Sequence, residues 1–101
     1  MDERQFVLVA RIRTKDRAGI QMVLAGLLPH GSVTATDEGF RVEATLEGTS
    51  ARDLNRMLFS ALRRIDHRAT LHADWTAAGI TERFFDYTAR RTGPAQVPET
   101  E

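Results

Sequence analysis

The chain has no cysteine and only one lysine among its 101 residues. Without cysteine it can form neither a disulfide nor a thiolate metal site, and it has no cysteine nucleophile. Apart from Lys15 and the three histidines, every basic side chain is an arginine. That bias is typical of a GC-rich bacterial genome and carries no information about activity.

Long apolar runs are also absent, so the sequence predicts no membrane span. The amino-terminal residues, Met1 to Arg4, are polar and lack the pattern of a secretory signal, which favours a cytoplasmic protein. Fourteen basic and fourteen acidic side chains give zero formal net charge. Because proteins that bind phosphate backbones usually have a basic surface, this balance counts against general nucleic-acid binding.

Alternation of apolar and polar residues with period two predicts a first strand over residues 5–14. Asp16 is a candidate N-cap for the helix that follows, and Pro29 ends that helix. The residues Asp37–Gly39 have the composition of a hairpin turn, and we expect a strand on each side of it.

A second helix is predicted after Ser50, where Asp53 three residues later completes a pattern similar to a capping box. A fourth strand follows over 70–76. This βαββαβ order predicts an α+β, ferredoxin-like sandwich with two helices on one face of a four-stranded antiparallel sheet, in the order 4-1-3-2. We expect one domain over residues 1–91, with its βαββαβ core at 4–76.

Residues 80–91 follow the last element that this fold requires, yet they include Phe84, Phe85 and Tyr87. Such apolar surface is rarely left in water, so we expect the segment to dock. It could dock on the domain's own sheet or on a partner subunit. Residues 92–101, with glycine, prolines and terminal acids, are expected to be disordered.

The predicted fold leaves one sheet face uncovered, and that face carries mostly arginine, glutamate and threonine with Val7 and Val9 as apolar exceptions. It can be interpreted as a solvated surface with ion pairs, or as a platform for a polar ligand or a face-to-face dimer. An RNA-recognition module would present stacking aromatic residues there, whereas Phe6 and Phe40 are predicted to point to the core.

Sites for chemistry are scarce. His72 and Asp74 share one strand face, but the nearest carboxylates lie on a strand that is not the neighbour of theirs in this topology. No Ser-His-Asp grouping can be argued. We therefore expect no metal, no cofactor and no catalytic residue. The arginines on the second predicted helix are interpreted as a solvated face, with a phosphate or acidic-protein contact as the alternative.

The segment Asp16-Arg17-Ala18-Gly19-Ile20 joins the first strand to the first helix. With Gly31-Ser32-Val33 at a matching distance, it resembles the ACT domain, whose pattern is Asp-Arg-Pro-Gly followed by an apolar residue. The chain departs from that pattern at Ala18 and at Ser32. The resemblance implies that an amino acid or small carboxylate binds at Asp16, Arg17, Gly19 and Ile20, between paired domains. Alternatively, Asp-x-x-Gly is simply favourable helix-start chemistry.

The sequence thus predicts a non-enzymatic, homodimeric module that binds a small ligand or a protein partner. The alternatives are a small dimeric enzyme with a pocket between sheet and helices, and an accessory subunit of a larger complex. The predicted interface residues are Val7, Val9, Arg11, Phe84, Phe85 and Tyr87.

Overall fold

The computed structural model describes residues 4–91 and has an α+β fold with two helices and one open antiparallel sheet. The elements, in chain order, are β1 (Arg4–Arg13), α1 (Arg17–Leu27), β2 (Ser32–Ala35), β3 (Gly39–Gly48), α2 (Ala51–Ile65), β4 (Thr70–Ala77), β5 (Ile80–Phe85) and β6 (Thr88–Arg91). The prediction for 92–101 lies outside the described residues.

The sheet has the strand order β2-β3-β1-β4-β5-β6. Its first four strands are arranged as the sequence predicts, since β1 lies between β3 and β4 and β2 pairs with β3. The prediction of a four-stranded sheet is nevertheless incomplete, because β5 and β6 continue the sheet beyond β4. The aromatic segment at 80–91 is therefore part of the chain's own sheet.

Two tight hairpins produce this extension. Ala78 and Gly79 between β4 and β5 both have positive φ, 53° and 78°, as a type I′ turn requires. Asp86, between β5 and β6, also has a positive φ of 57°. Its backbone N–H donates to the Leu71 carbonyl at 2.7 Å, and its carboxylate accepts from the Leu71 N–H at 2.8 Å. The second turn is thus hydrogen-bonded to the start of β4.

Both helices begin at the predicted caps. The Asp16 carboxylate accepts from the Gly19 N–H at 3.0 Å, and the Ser50 hydroxyl accepts from the Asp53 N–H at 3.1 Å. Neither helix of the described chain has the length and hydropathy needed to cross a membrane.

The core lies between the helices and one face of the sheet. Alternate residues of β1, β3, β4 and β5 point into it, and α2 contributes an apolar stripe of helical period. The largest fully buried side chains include Trp75, Phe6, Phe59 and Phe84. Burial on one face only leaves the opposite face of the sheet to the solvent.

Candidate ligand-binding face

The open face is the side of the sheet opposite the helices. Its residues on β1, β3, β4 and β5 are Gln5, Val7, Val9, Arg11, Arg13, Arg41, Glu43, Thr45, Glu47, Thr70, His72, Asp74, Thr76, Thr81, Arg83 and Phe85. Strand pairing places these side chains in rows across the sheet, because directly opposite residues on antiparallel strands share a face.

One row is cationic. Arg11 on β1 lies directly opposite Arg41 on β3 and opposite His72 on β4. Among the described residues, no carboxylate lies within ion-pair distance of the Arg11 guanidinium. Like charges directly opposite one another on a sheet are unfavourable, so this row carries an uncompensated positive charge.

The adjacent row has two carboxylates, one on each side of Val9. Val9 lies between Glu43 on β3 and Asp74 on β4. Both carboxylates have arginine partners: Glu43 is 2.8 Å from Arg41, and Asp74 accepts two hydrogen bonds from Arg83, at 2.8 and 3.1 Å. The hydrogen bond to Asp74, together with the charge of that carboxylate, raises the pKa of Arg83 above its ordinary value. Arg83 thus lies at the end of this row beside Asp74, whereas Arg41 reaches Glu43 from the cationic row.

The two rows enclose a shallow concavity of about 440 Å³. We call it the sheet-face concavity, and it is lined by Val9, Ala10, Arg11, Arg41, His72, Asp74 and Arg83. Two of its three guanidinium groups are paired with carboxylates, Arg41 with Glu43 and Arg83 with Asp74. The excess charge is that of Arg11, at its centre.

Apolar groups border this concavity. Val7 is 50% exposed, Val9 37% and Phe85 43%. The Phe85 ring lies 3.9 Å from the imidazole of His72, centroid to centroid. The open face therefore offers an apolar edge beside its charged rows.

The loop that resembles the ACT motif has its polar groups engaged within the fold. Besides the Asp16 cap, the Arg17 guanidinium donates to the carbonyls of Thr36, Asp37 and Gly39, at 2.7, 2.8 and 3.4 Å. Ile20 is fully buried. Arg17 thereby ties the start of α1 to the turn between β2 and β3.

Gly19 allows α1 and α2 to approach closely. A Cβ atom at this position would lie 2.6 Å from Cγ2 of Ile65 and 2.7 Å from a carboxylate oxygen of Asp16. Helix capping thus explains the presence of Asp16, and close helix packing explains that of Gly19. The ligand role of this loop stays a prediction.

The predicted interface residues do not form one surface. Val7, Val9, Arg11 and Phe85 lie on the open face, whereas Phe84 is only 2% exposed and packs in the core. Tyr87 lies on the helix side, with its ring edge-on to Phe59 at 4.5 Å.

Arg83 is the member of the concavity that sequence reasoning missed, since its segment was interpreted as docked and not as a strand. The alternation of Thr81, Arg83 and Phe85 after the turn at Gly79 is the signal that could have identified it.

The described residues contain no group of three or more histidine and acidic side chains arranged to hold a metal ion. The chemistry of the open face is instead that of guanidinium and carboxylate groups at fixed spacing, which suits recognition of a charged small molecule. Comparison with protein families, curated proteins and solved structures gives no match to this chain.

Proposed function

We propose that the protein is a non-enzymatic module that binds a free amino acid, or a related small carboxylate, in the sheet-face concavity. The observation that carries the proposal is Arg11, which faces Arg41 and His72 across the sheet and has no carboxylate partner among the described residues.

A bound carboxylate would compensate this charge. A guanidinium group presents its donors in a planar fork that matches the two oxygens of a carboxylate. The concavity is open to solvent, so a ligand can reach Arg11 without a rearrangement of the backbone.

The acidic row supplies the complementary contact for an ammonium group. Val9 and Arg11 are two residues apart on one strand, so the two rows are separated by about 6.8 Å. The carboxylates of Glu43 and Asp74 each retain acceptor capacity beyond their arginine partners. Val9 between them offers an apolar contact for the ligand's side chain. The pattern of cation, apolar residue and anion matches a zwitterion.

The enzyme alternative requires polar side chains in a pocket between sheet and helices. In the described part of the chain this layer is filled by apolar side chains, and the two buried polar residues are Thr14 and Asn55. The Thr14 hydroxyl donates to Asp66 at 2.6 Å, and the Asn55 amide bonds to Trp75 and Asp86. Both residues thus serve the fold.

The test is a thermal-shift and calorimetric screen of the twenty amino acids and short dicarboxylates at millimolar concentration. A ligand at a hundred times its dissociation constant adds about 2.7 kcal/mol to the free energy of unfolding. For each amino acid that binds, two analogues are then tested: its amide, which lacks the carboxylate, and the corresponding acid, which lacks the amino group. The loss of affinity for each analogue shows which charge the protein recognises.

Arg11→Gln should weaken binding about tenfold or more, because it removes charge-assisted hydrogen bonds. Arg13→Gln is the matched control: Arg13 lies on the same strand and face, but it pairs with Glu38 at 3.2 Å and does not line the concavity. If no compound in the screen stabilises the protein, or if Arg11→Gln binds as well as Arg13→Gln, the proposal is wrong.

A second candidate function, pairing with another copy of this chain, is favoured by the exposure of Val7, Val9 and Phe85 on the open face. A two-fold interface is self-complementary. Because the cationic and acidic rows are adjacent, the cationic row of each copy can lie against the acidic row of the other. This arrangement is compatible with a ferredoxin-like, ACT-like module, in which the ligand lies between paired domains.

Light scattering at micromolar concentration tests this pairing. A dimer gives twice the chain mass of 11.3 kDa, and Val9→Lys should return it to the monomer. A single 11.3 kDa species for the unmodified protein would exclude pairing while leaving the ligand proposal to its own screen.

A further inference from the structure

A second concave site lies on the helix side of the molecule, between α2 and the β5–β6 hairpin. This groove has a volume of about 480 Å³ and is lined by Arg52, Asn55, Arg56, Ser60, Phe84 and Tyr87. It shares no residue with the sheet-face concavity. The groove is therefore a site distinct from the open face.

Two arginines on successive turns of α2 supply its charge. Arg52 and Arg56 are four residues apart, about 6 Å along the helix, and both are exposed. Neither has an ion-pair partner among the described residues. Like charges at this spacing destabilise an isolated helix, and a bound anion would remove that cost.

The positive charge of this groove comes from α2. The whole chain is formally neutral, whereas α2 has four arginines and Asp53 as its one acidic residue. The Asp53 carboxylate accepts from the Thr49 hydroxyl at 3.0 Å, on the preceding loop. The outer surface of α2 is thus basic, although the chain as a whole is formally neutral.

Two hydroxyl groups border the same groove. The Tyr87 and Ser60 hydroxyls lie 3.2 Å apart and hydrogen-bond to each other. The Tyr87 ring is held edge-on against Phe59 at 4.5 Å, so its hydroxyl has a fixed place in the groove wall. In contrast, the Asn55 amide is engaged by Trp75 and Asp86 and is not free to contact a ligand.

We infer that this groove binds a phosphoryl group through Arg52, Arg56 and the Tyr87–Ser60 hydroxyl pair. Two guanidinium forks and the hydroxyl proton that the Tyr87–Ser60 bond leaves free offer more donors than the two oxygens of a carboxylate can accept, whereas the three terminal oxygens of a phosphate monoester suit them. The site does not depend on the N-terminus of α2, where Ser50 already accepts from the Asp53 N–H.

The experiment titrates the full chain with inorganic phosphate and with phenyl phosphate at constant ionic strength, by calorimetry and by NMR of the arginine side-chain N–H groups. The Nε–H signals of Arg52 and Arg56 should shift, and the double variant Arg52→Gln/Arg56→Gln should raise Kd about tenfold or more. Tyr87→Phe, which keeps the ring, should raise Kd by a smaller factor. Tighter binding of phenyl phosphate would indicate an organic monoester; equal Kd values would indicate that the phosphate alone is recognised.

Arg64→Gln is the matched control, since Arg64 is an exposed arginine of the same helix that does not line the groove. The inference is overturned if neither phosphate binds at millimolar concentration. An Arg64→Gln variant that loses as much affinity as the double variant would also overturn it, because general charge attraction would then suffice. Arg11→Gln should leave phosphate binding unchanged, so failure at one site is distinguishable from failure at the other.

Discussion

The indole N–H of Trp75 donates a hydrogen bond of 3.1 Å to the side-chain oxygen of Asn55 inside the core. The Asn55 amide in turn donates to the carbonyl of Asp86 at 2.7 Å. One buried side chain thus connects α2, β4 and the β5–β6 turn. This connection holds the added hairpin against the helix layer and places Asn55 in the lining of the groove between α2 and the β5–β6 hairpin.

Asn55→Ala should therefore be strongly destabilising. It leaves the indole N–H and the Asp86 carbonyl without their partner, at a cost of about 1–3 kcal/mol for each buried group. We expect urea denaturation to show a free energy of unfolding lower by about 2–4 kcal/mol. Gln21→Ala, on the exposed side of α1, is the control and should stay near the unmodified protein. Equal midpoints for the two variants would contradict the role of Asn55.

The two glycines of α1 should respond in opposite ways to alanine. Gly19→Ala places a Cβ against Ile65 and the capping Asp16, which we expect to cost about 1–3 kcal/mol. Gly26 has nothing within 4 Å of the added Cβ, so Gly26→Ala should stabilise the helix by up to about 1 kcal/mol. A Gly19→Ala variant that melts at or above the temperature of the unmodified protein would show that Gly19 is not required for helix packing.

The sequence predicted the element order, both N-caps and the arrangement of the first four strands because these depend on local periodicity and short-range hydrogen bonds. It missed β5 and β6, since the turn residues Ala78 and Gly79 lack the asparagine or aspartate that usually marks a type I′ hairpin. Once β5 is a strand, alternation sends Phe84 to the core and Phe85 to the open face, a separation that composition alone does not reveal.

The candidate sites were predictable only in part for the same reason. The alternation of the first strand predicted that Arg11 lies on the open face. The position of Arg11 opposite Arg41 and His72 depends on strand register, which the alternation does not give. The groove between Arg56 and Tyr87 joins residues from α2 and from the unexpected hairpin. Long-range juxtaposition of this kind depends on the tertiary structure.

Asp66 should make stability depend on pH. Its carboxylate accepts from the Thr14 hydroxyl at 2.6 Å and from the Arg68 N–H at 2.9 Å, and these bonds lower its pKa below the ordinary 3.8. A lowered folded-state pKa means that the stabilisation is present above the unfolded-state pKa and is lost as the pH falls through the folded-state value. Asp66→Asn should thus lower the melting temperature at neutral pH, and the difference should shrink in acid.

Thr14→Val tests the same interaction from the other side, because the Thr14 hydroxyl is the main cause of the lowered pKa of Asp66. The difference for Asp66→Asn should close as the pH falls below 3.8. The difference for Thr14→Val should narrow but not close, because this variant also loses the hydrogen bond that Thr14 accepts from the Asp16 N–H at 3.0 Å. A melting-temperature difference that stays constant from neutral to strongly acidic pH would show that the ionised carboxylate contributes nothing through this hydrogen bond.

The adjacent residues Phe84 and Phe85 provide the sharpest test of the six-stranded sheet. Phe84 is 2% exposed and belongs to the core, whereas Phe85 is 43% exposed beside His72 on the open face. Phe84→Ala should cost about 3–5 kcal/mol, a large part of what stabilises a domain of this size. Phe85→Ala leaves the core intact, so we expect a loss of about 1 kcal/mol or less. Chemical denaturation of both variants distinguishes them directly. If the two losses are equal, β5 does not alternate between core and solvent as a strand must, and the placement of Arg83 in the sheet-face concavity fails with it.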